Sequence, residues 1–207
     1  MSTKGNTYQW HFDAEELALE RAERVLQLHL PDVIAERDDV DPDATGADKI
    51  FRVPPPEKYY REEEQLERLL RGTDIGVQIT GQASASAGTY HSRDRNESGE
   101  LVKWTLRVGL AFRAPSESWS RLLERDVGRT ETQLEATGRI ARKYKGAIMS
   151  ILLEHLPGGA GIVRAKYKAS WGKPHELDGL HLIGLAVAQV DVMQAIRIEN
   201  PKNEVGP

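Results

Sequence analysis

The residues of this sequence that are able to hold a metal ion do not occur at the spacings that metal sites use. The chain has no cysteine, which excludes thiolate zinc sites, disulfides and a cysteine nucleophile. His175 and His181 lie six positions apart in a turn-rich segment, and the helical His-Glu-x-x-His motif is absent. Because zinc needs several ligands that converge at fixed geometry, we interpret this segment as a surface turn and predict no metal site.

Carboxylates and serines also fail to form a recognisable catalytic set. A metal-dependent nuclease would need a glutamate and a lysine on one face of a strand. The candidates Glu100 and Lys103 are three positions apart, so they fall on opposite faces, with Asp74 as the third member. No serine lies in a Gly-x-Ser-x-Gly elbow, and the glycine-rich stretch 76–88 lacks the Gly-Lys-Ser/Thr of a phosphate-binding loop. We therefore predict no catalytic residue and no cofactor.

The most distinctive pattern in the sequence is a set of lysines and arginines on predicted strands. Two predicted strands carry lysine and arginine on one face, and Gly109 and Ala111 leave part of that face flat. One interpretation is a solvated face whose charges discourage aggregation. The other is a subunit interface that meets the acidic segments 36–43 or 57–67 of a neighbour. Nucleic acid ranks third, because an aromatic stacking platform is missing if Trp104 and Tyr167 point inward. The end of the last strand adds two further contacts, and the interface candidates are Lys103, Arg107, Arg164, Lys166, Lys168, Gln194 and Arg197.

Helical periodicity predicts the elements that position these residues. Residues 13–30 form an amphipathic helix that Pro31 ends, and residues 57–71 form a second one that Gly72 ends. A long helix over 130–156 ends at a Pro-Gly-Gly sequence. Its predicted buried side carries Leu134, Ala141, Tyr144, Ile148, Ile151, Leu152 and His155. His155 lies on its buried side and is interpreted as a packed histidine.

Alternation of apolar and polar residues predicts four strands, over 74–80, 101–112, 162–171 and 180–198. The second strand is predicted to face the core with its even-numbered residues, Val102, Trp104, Leu106, Val108, Leu110 and Phe112. The third strand is predicted to face inward with its odd-numbered residues, Val163, Ala165, Tyr167, Ala169 and Trp171. In the last strand the apolar parity changes between Val187 and Val190, which predicts a bulge or a bend near Ala188–Gln189 that sends the strand past the edge of the sheet.

The chain is accordingly predicted to be a single α+β domain over residues 1–207. A mostly antiparallel four-stranded sheet carries the long helix on one face, together with an N-terminal helical segment. Long loops are expected at about 36–56 and 81–99, with a polar tail from about 200. The longest apolar run, 182–188, is too short to span a bilayer, so no membrane partner is expected. A hydrophobic fraction of 39% is typical of a globular core, and a net charge of −4 gives no global attraction to nucleic acid.

The order of these segments resembles that of tail-terminator and neck proteins of tailed bacteriophages. The resemblance is one of layout and covers nearly the whole chain. Its points are, in chain order, Leu28-His29-Leu30-Pro31 at the end of the first helix, Ile75 to Gly81, Val102 to Val108, Ile140 to Ile148 with Leu152 to His155, and the strand Leu185 to Ile198.

The resemblance implies a structural virion protein that assembles in the host cytoplasm. Such a subunit forms a ring, commonly a hexamer, which caps the tail tube and joins it to the head connector. The implied partners are copies of itself, the tail tube protein and connector or neck proteins, while DNA passes through the lumen without specific binding. Another neck, connector or minor tail protein is the nearest alternative. A metal-dependent nuclease or hydrolase of unrecognised type and a protein-binding adaptor remain as alternatives from other classes.

Overall fold

The structure is a computed structural model, and it describes residues 7–35, 50–52, 69–70, 74–92, 97–114, 132–177 and 181–197. Within these residues the elements are α1 (Thr7–Ala35), β1 (Ile50–Arg52), β2 (Ile75–Ser92), β3 (Glu97–Arg113), α2 (Gln133–His155), β4 (Ile162–Leu177) and β5 (His181–Arg197). The fold is α+β, as the sequence indicates. Neither α1 nor α2 contains a stretch apolar and long enough to cross a membrane.

The strands form one five-stranded sheet in the order β1-β2-β3-β5-β4. The pairs β2–β3, β3–β5 and β5–β4 are antiparallel, whereas β1 runs parallel to β2 opposite Val77–Ile79. The prediction of four strands was therefore one short. A strand of three residues is too short to show alternation, and β1 lies inside the region 36–56 that we expected to be a loop.

The start of helix α2 is fixed by a capping box formed by Thr132 and Glu135. Thr132 accepts a hydrogen bond from the backbone N–H of Glu135, and the Glu135 carboxylate accepts one from the backbone N–H of Thr132 at 3.0 Å. This reciprocal capping box satisfies two donors that a helix start leaves without partners. The predicted buried side is confirmed except at Leu134, which is exposed. The buried apolar residues of the helix are Ala136, Ile140, Ala141, Tyr144, Ile148, Met149, Ile151 and Leu152.

The first helix is longer than predicted, because it continues through Pro31 to Ala35. Proline removes one backbone hydrogen bond from a helix interior, and this normally ends the helix. Here Leu30 and Ile34, on either side of the proline, are both buried in the core. Packing of this last turn against the sheet and α2 therefore offsets the missing hydrogen bond.

Both helices cover the same face of the sheet, which we call the helix face. Trp104, Leu106, Val108, Leu110 and Phe112 alternate along β3 and are all buried on this face. Phe112 contacts Tyr144 of α2 edge to face, with ring centroids 5.2 Å apart. The predicted register of this strand is confirmed, and its apolar side forms the centre of the core.

The strand β5 has no bulge toward β3, so that prediction was wrong. The β3–β5 register runs without a shift from Gly99 opposite Arg197 to Arg113 opposite Ile183. The change of apolar parity arises because β5 is buried on both faces. Ala186 and Ala188 lie under the helices, while Ile183 and Leu185 on the other face pack with Leu70 and Ala111 in a second small cluster.

The irregularities lie instead in the edge strand β4. Its pairing with β5 shifts between Ile162 and Arg164 and again between Tyr167 and Ala169, so Val163 and Lys168 are extra residues. Each bulge reverses the parity that follows it. The predicted inward set of β4 is confirmed at Ala165, which packs against the core, and was wrong for the rest of the set. Val163 and Tyr167 are each 59% exposed, and Trp171 pairs with Val187 on the face opposite the helices.

The region 81–99 is mostly strand rather than the flexible loop that the sequence indicated. Strand β2 continues to Ser92, β3 begins at Glu97, and two register shifts accommodate the small residues between Gln82 and Gly88. The predicted helix 57–71, apart from Leu69–Leu70, and the polar tail from about 200 lie outside the described residues.

Close packing of α2 on β4 depends on a glycine. A Cβ on Gly172 would collide with the backbone carbonyl of Ala141 in α2. Because backbone atoms cannot rotate away, any side chain here must push the helix off the strand. Gly109 of β3 gives the opposite case, since a Cβ there has nothing within 4 Å.

We therefore expect Gly172→Ala to lower the free energy of unfolding by about 1–3 kcal/mol, the usual cost of overpacking. Gly109→Ala is the matched control and should change it by less than about 0.5 kcal/mol. Urea unfolding followed by circular dichroism measures both. Equal stability of the two variants would contradict the close approach of α2 to β4.

Candidate subunit interface

The side of the sheet opposite α1 and α2, which we call the outer face, collects most of the predicted interface residues. In β3 it carries Lys103 and Arg107, whose neighbours in the register are Met193 and Gln189 of β5. Strand β4 brings further cations to the same side, and they are Arg164, Lys166, Lys168 and Lys173. The structure thus brings five of the seven predicted residues together and adds Lys173.

The centre of the basic region is a carboxylate, Asp191 of β5, which the sequence analysis did not single out. Its Oδ1 accepts a hydrogen bond from Thr105 Oγ1 at 3.0 Å, and its Oδ2 lies 3.4 Å from Lys103 Nζ. Lys168 Nζ lies 3.5 Å from Oδ1 and donates to Thr105 Oγ1 at 2.7 Å. The bulge at Lys168 lets this edge-strand side chain reach across β5 to β3.

These contacts set the charge state of Asp191. Burial on its own raises the pKa of this carboxyl group. The hydrogen bonds from Thr105 and Lys103 and the charges of Lys103 and Lys168 act in the opposite direction and outweigh it, so the pKa lies below its ordinary value. Asp191 therefore remains ionised at neutral pH and fixes two lysines that would otherwise be flexible.

Arg107 forms the boundary between the basic region and an apolar region of the outer face. Its guanidinium carbon lies 5.8 Å from the ring centroid of Trp171, within the range of a cation–π contact. Trp171 is 37% exposed, although it was predicted to face the core. An aromatic side chain is therefore present on the basic face, which removes one reason for ranking nucleic acid below a protein partner.

One predicted interface residue, Gln194, lies on the other face, whereas the register of Arg197 has the parity of the outer face. Gln194 is only 2% exposed and lies on the helix face, so it is a core residue and not a surface contact. Its Nε2 donates to the carbonyl oxygens of Ala14 at 2.6 Å and Ala160 at 2.8 Å, while its Oε1 accepts from Trp104 Nε1 at 3.2 Å. Arg197 ends β5, with its backbone opposite Gly99. Polarity suggested an exposed Gln194, whereas the alternation of β5 would have placed it inward.

The residues considered for catalysis lie apart. Asp74 precedes β2 and forms an ion pair with Arg113 at 3.4 Å, at the end of the sheet where β3 finishes. Glu100 lies near the start of β3, at the opposite end, so the Asp74–Glu100–Lys103 set is not assembled. Among the described residues, no group of three or more histidine, aspartate or glutamate side chains has the arrangement of a metal site.

His155 was interpreted as a packed core histidine, and it is half-buried at the crossing of the two helices. Its ring stacks on His29 of α1, with centroids 4.0 Å apart and planes 11° from parallel. The Arg21 guanidinium donates to the His155 backbone carbonyl at 2.9 Å. These contacts join α1 to the end of α2 and form no nucleophile–base pair.

Comparison with known proteins gives no assignment for this arrangement. A scan against protein-family models and a search of curated proteins both returned no match.

Replacing Gln194 by Leu should be costly, because it leaves two buried carbonyl groups and the Trp104 N–H without their partner. We expect a loss of about 3 kcal/mol in the free energy of unfolding. The control Gln189→Leu changes the same residue type on the outer face of the same strand and should cost less than about 0.5 kcal/mol. Thermal and urea unfolding measure both, and a similar cost for the two would contradict the buried placement of Gln194.

The lowered pKa of Asp191 predicts how its stabilising effect depends on pH. A carboxyl group with a depressed pKa in the folded state stabilises fully above its unfolded pKa, about 3.9, and loses that effect as pH falls toward the folded value. The difference in unfolding free energy between wild type and Asp191→Asn should therefore be constant, at about 1 kcal/mol, from neutral pH to about pH 5 and then shrink in acid.

Thr105→Val removes one of the two hydrogen-bond donors to Asp191. The same pH series in this background should show a smaller change, in acid, of the unfolding free energy that Asp191 contributes. A wild type and Asp191→Asn variant that differ equally at every pH would show that Asp191 does not interact with its neighbours as described.

Proposed function

We propose that this chain is a structural assembly subunit, most specifically a tail terminator of a tailed bacteriophage that forms a ring. In that role it caps the tail tube and joins it to the head connector within the virion. A different neck, connector or minor tail protein is the nearest variant of the same proposal. The outer face is the surface through which one copy contacts the next.

One observation carries the proposal. In the described part of the chain both helices pack on the helix face, and Leu69 and Leu70 are the only described residues outside the sheet that join the apolar cluster on the opposite side. Neither described helix covers the outer face, where Trp171 is 37% exposed beside Arg107. Tryptophan and arginine are enriched at protein interfaces relative to the rest of the surface.

Charge supports contact between copies of the chain. On the outer face of β3, β4 and β5, the described side chains include the six cations named above and one carboxylate, Asp191, which pairs with Lys103 and Lys168, yet the chain as a whole has a net charge of −4. The negative charge is therefore concentrated elsewhere on the molecule. A basic face that meets an acidic region of the next copy forms a heterologous interface, and repetition of such an interface closes a ring when the rotation permits.

The described carboxylates and histidines that could act in catalysis do not converge on one site, which favours an assembly role over an enzymatic one. Asp74 forms an ion pair, Glu135 caps α2, and His29 stacks on His155, so these groups are engaged at separate places. In a ring, a net acidic chain also suits a lumen through which DNA passes, because tight phosphate binding would slow transit.

The proposal predicts that the purified chain, of 23.1 kDa, forms a closed oligomer at micromolar concentration, visible as rings in negative-stain micrographs. Arg107→Glu should weaken this association at least about tenfold, because it places a carboxylate beside Asp191 on the interface. Mass photometry over a dilution series measures the dissociation constant.

Arg142→Glu, which changes an exposed arginine on the solvent side of α2, is the matched control and should assemble like wild type. If Arg107→Glu forms rings as stable as those of wild type, the outer face is not part of the subunit interface. Wild type that stays monomeric at every concentration would contradict the assembly proposal itself.

A further inference from the structure

The apolar half of the outer face contains a hollow of about 290 Å³ beside Trp171, which we call the Trp171 hollow. It lies between Arg107 and the end of the sheet where β3 finishes. Residues from four strands and from the segment before β2 surround it. They are Leu69, Gln78, Arg107, Gly109, Leu110, Ala111, Trp171, Lys173, Leu185 and Val187.

The hollow exists because its floor lacks side chains. Gly109 has no Cβ and nothing lies within 4 Å of the position that a Cβ would take. Ala111, two residues further along β3, is buried in the cluster with Leu70, so the open part of the floor lies at Gly109. The longer side chains of Leu69 and Trp171 also line the hollow, and a side chain from outside can approach the strand backbone at Gly109.

The lining has one sign of charge. Among the described residues that line it, Arg107 and Lys173 are the charged ones, Gln78 adds an amide, and no carboxylate contributes. The Arg107 guanidinium is already held over the Trp171 ring, so little rotamer freedom remains to be lost on binding. An occupant should therefore combine an apolar body with a negative charge beside it.

The size of the hollow restricts the occupant further. Pockets that enclose cofactors or drug-sized ligands run from roughly 300 to 1,000 Å³, so this hollow lies at the small end of that range. It fits one large side chain better than a nucleotide. Tryptophan and arginine beside a pocket are also the residues that most often dominate binding energy at protein interfaces.

We propose that the Trp171 hollow is a socket that receives one aromatic side chain, flanked by carboxylates, from a second copy of this chain. The inference rests on the proposed function, because it takes the outer face to be a subunit interface. The ring of the incoming side chain lies over Gly109 against Trp171, and adjacent carboxylates pair with Arg107 and Lys173.

The chain itself contains a segment of the required chemistry. Residues 57–67 read Glu-Lys-Tyr-Tyr-Arg-Glu-Glu-Glu-Gln-Leu-Glu, with two adjacent tyrosines among five glutamates. The other acidic segment, 36–43, has no aromatic residue. A fluorescent peptide with the sequence of residues 57–67 is therefore the probe of choice.

The experiment measures binding of this peptide to the full chain by fluorescence anisotropy, at protein concentrations below assembly. Gly109→Leu fills the socket floor where the structure has open space and should weaken binding at least about tenfold. Gly146→Leu, at a glycine on α2 that also has nothing within 4 Å, is the matched control and should bind like wild type. Lys173→Glu should weaken binding without filling the socket, and a peptide with both tyrosines changed to alanine should lose it.

A second readout separates this inference from the proposed function. Excess peptide should dissociate the wild-type oligomer, and Gly109→Leu should assemble less well than Gly146→Leu. If Gly109→Leu assembles and binds peptide like wild type, the socket is overturned and the ring proposal stands. If wild type is monomeric throughout, a second copy is not the occupant.

If a single-stranded oligodeoxythymidine binds in place of the peptide and Gly109→Leu abolishes that binding, the face recognises nucleic acid and the socket proposal is overturned.

Discussion

A single extra residue in the edge strand determines what the outer face presents. Lys168 has no partner position in β5, so every residue of β4 after it changes sides relative to those before it. Gly172 is thereby directed to α2, where only a glycine fits, and Trp171 and Lys173 are directed to the opposite side. The same bulge allows Lys168 to reach Thr105 and Asp191. Helix packing, the basic cluster and the Trp171 hollow all depend on this one break in register.

The two faces of the sheet use different interactions, and this division is why we propose that one is a core and the other an interface. The helix face is closed by apolar packing around Trp104 and Tyr144, with Gln194 satisfying the buried polar groups. The outer face has an ionised carboxylate among lysines and an apolar hollow beside an arginine, a mixture of charged and apolar surface that is typical of an interface and not of a core.

Sequence patterns correctly predicted the buried face of an element where its hydrophobic periodicity continued without interruption. The alternation of β3 and the helical spacing of α2 predicted their buried sides, because each element keeps one face toward a single core. They failed in β4, since two bulges changed its parity while its residues continued to alternate. They also failed in β5, because a strand buried on both faces shows the same change of apolar parity that a bulge produces. Asp191 carried no signal by itself, and its role depends on Lys103 and Lys168, which only the sheet brings together.

The central claim is that the outer face contacts another copy of the same chain. Zero-length carbodiimide crosslinking of an equal mixture of unlabelled and ¹⁵N-labelled chains tests it most directly, because it joins lysines only to carboxylates in contact. The account predicts mixed-isotope crosslinks from Lys103, Lys166, Lys168 or Lys173 to glutamates or aspartates of another copy, lost in Arg107→Glu. Crosslinks from these lysines that occur only within one chain would contradict it.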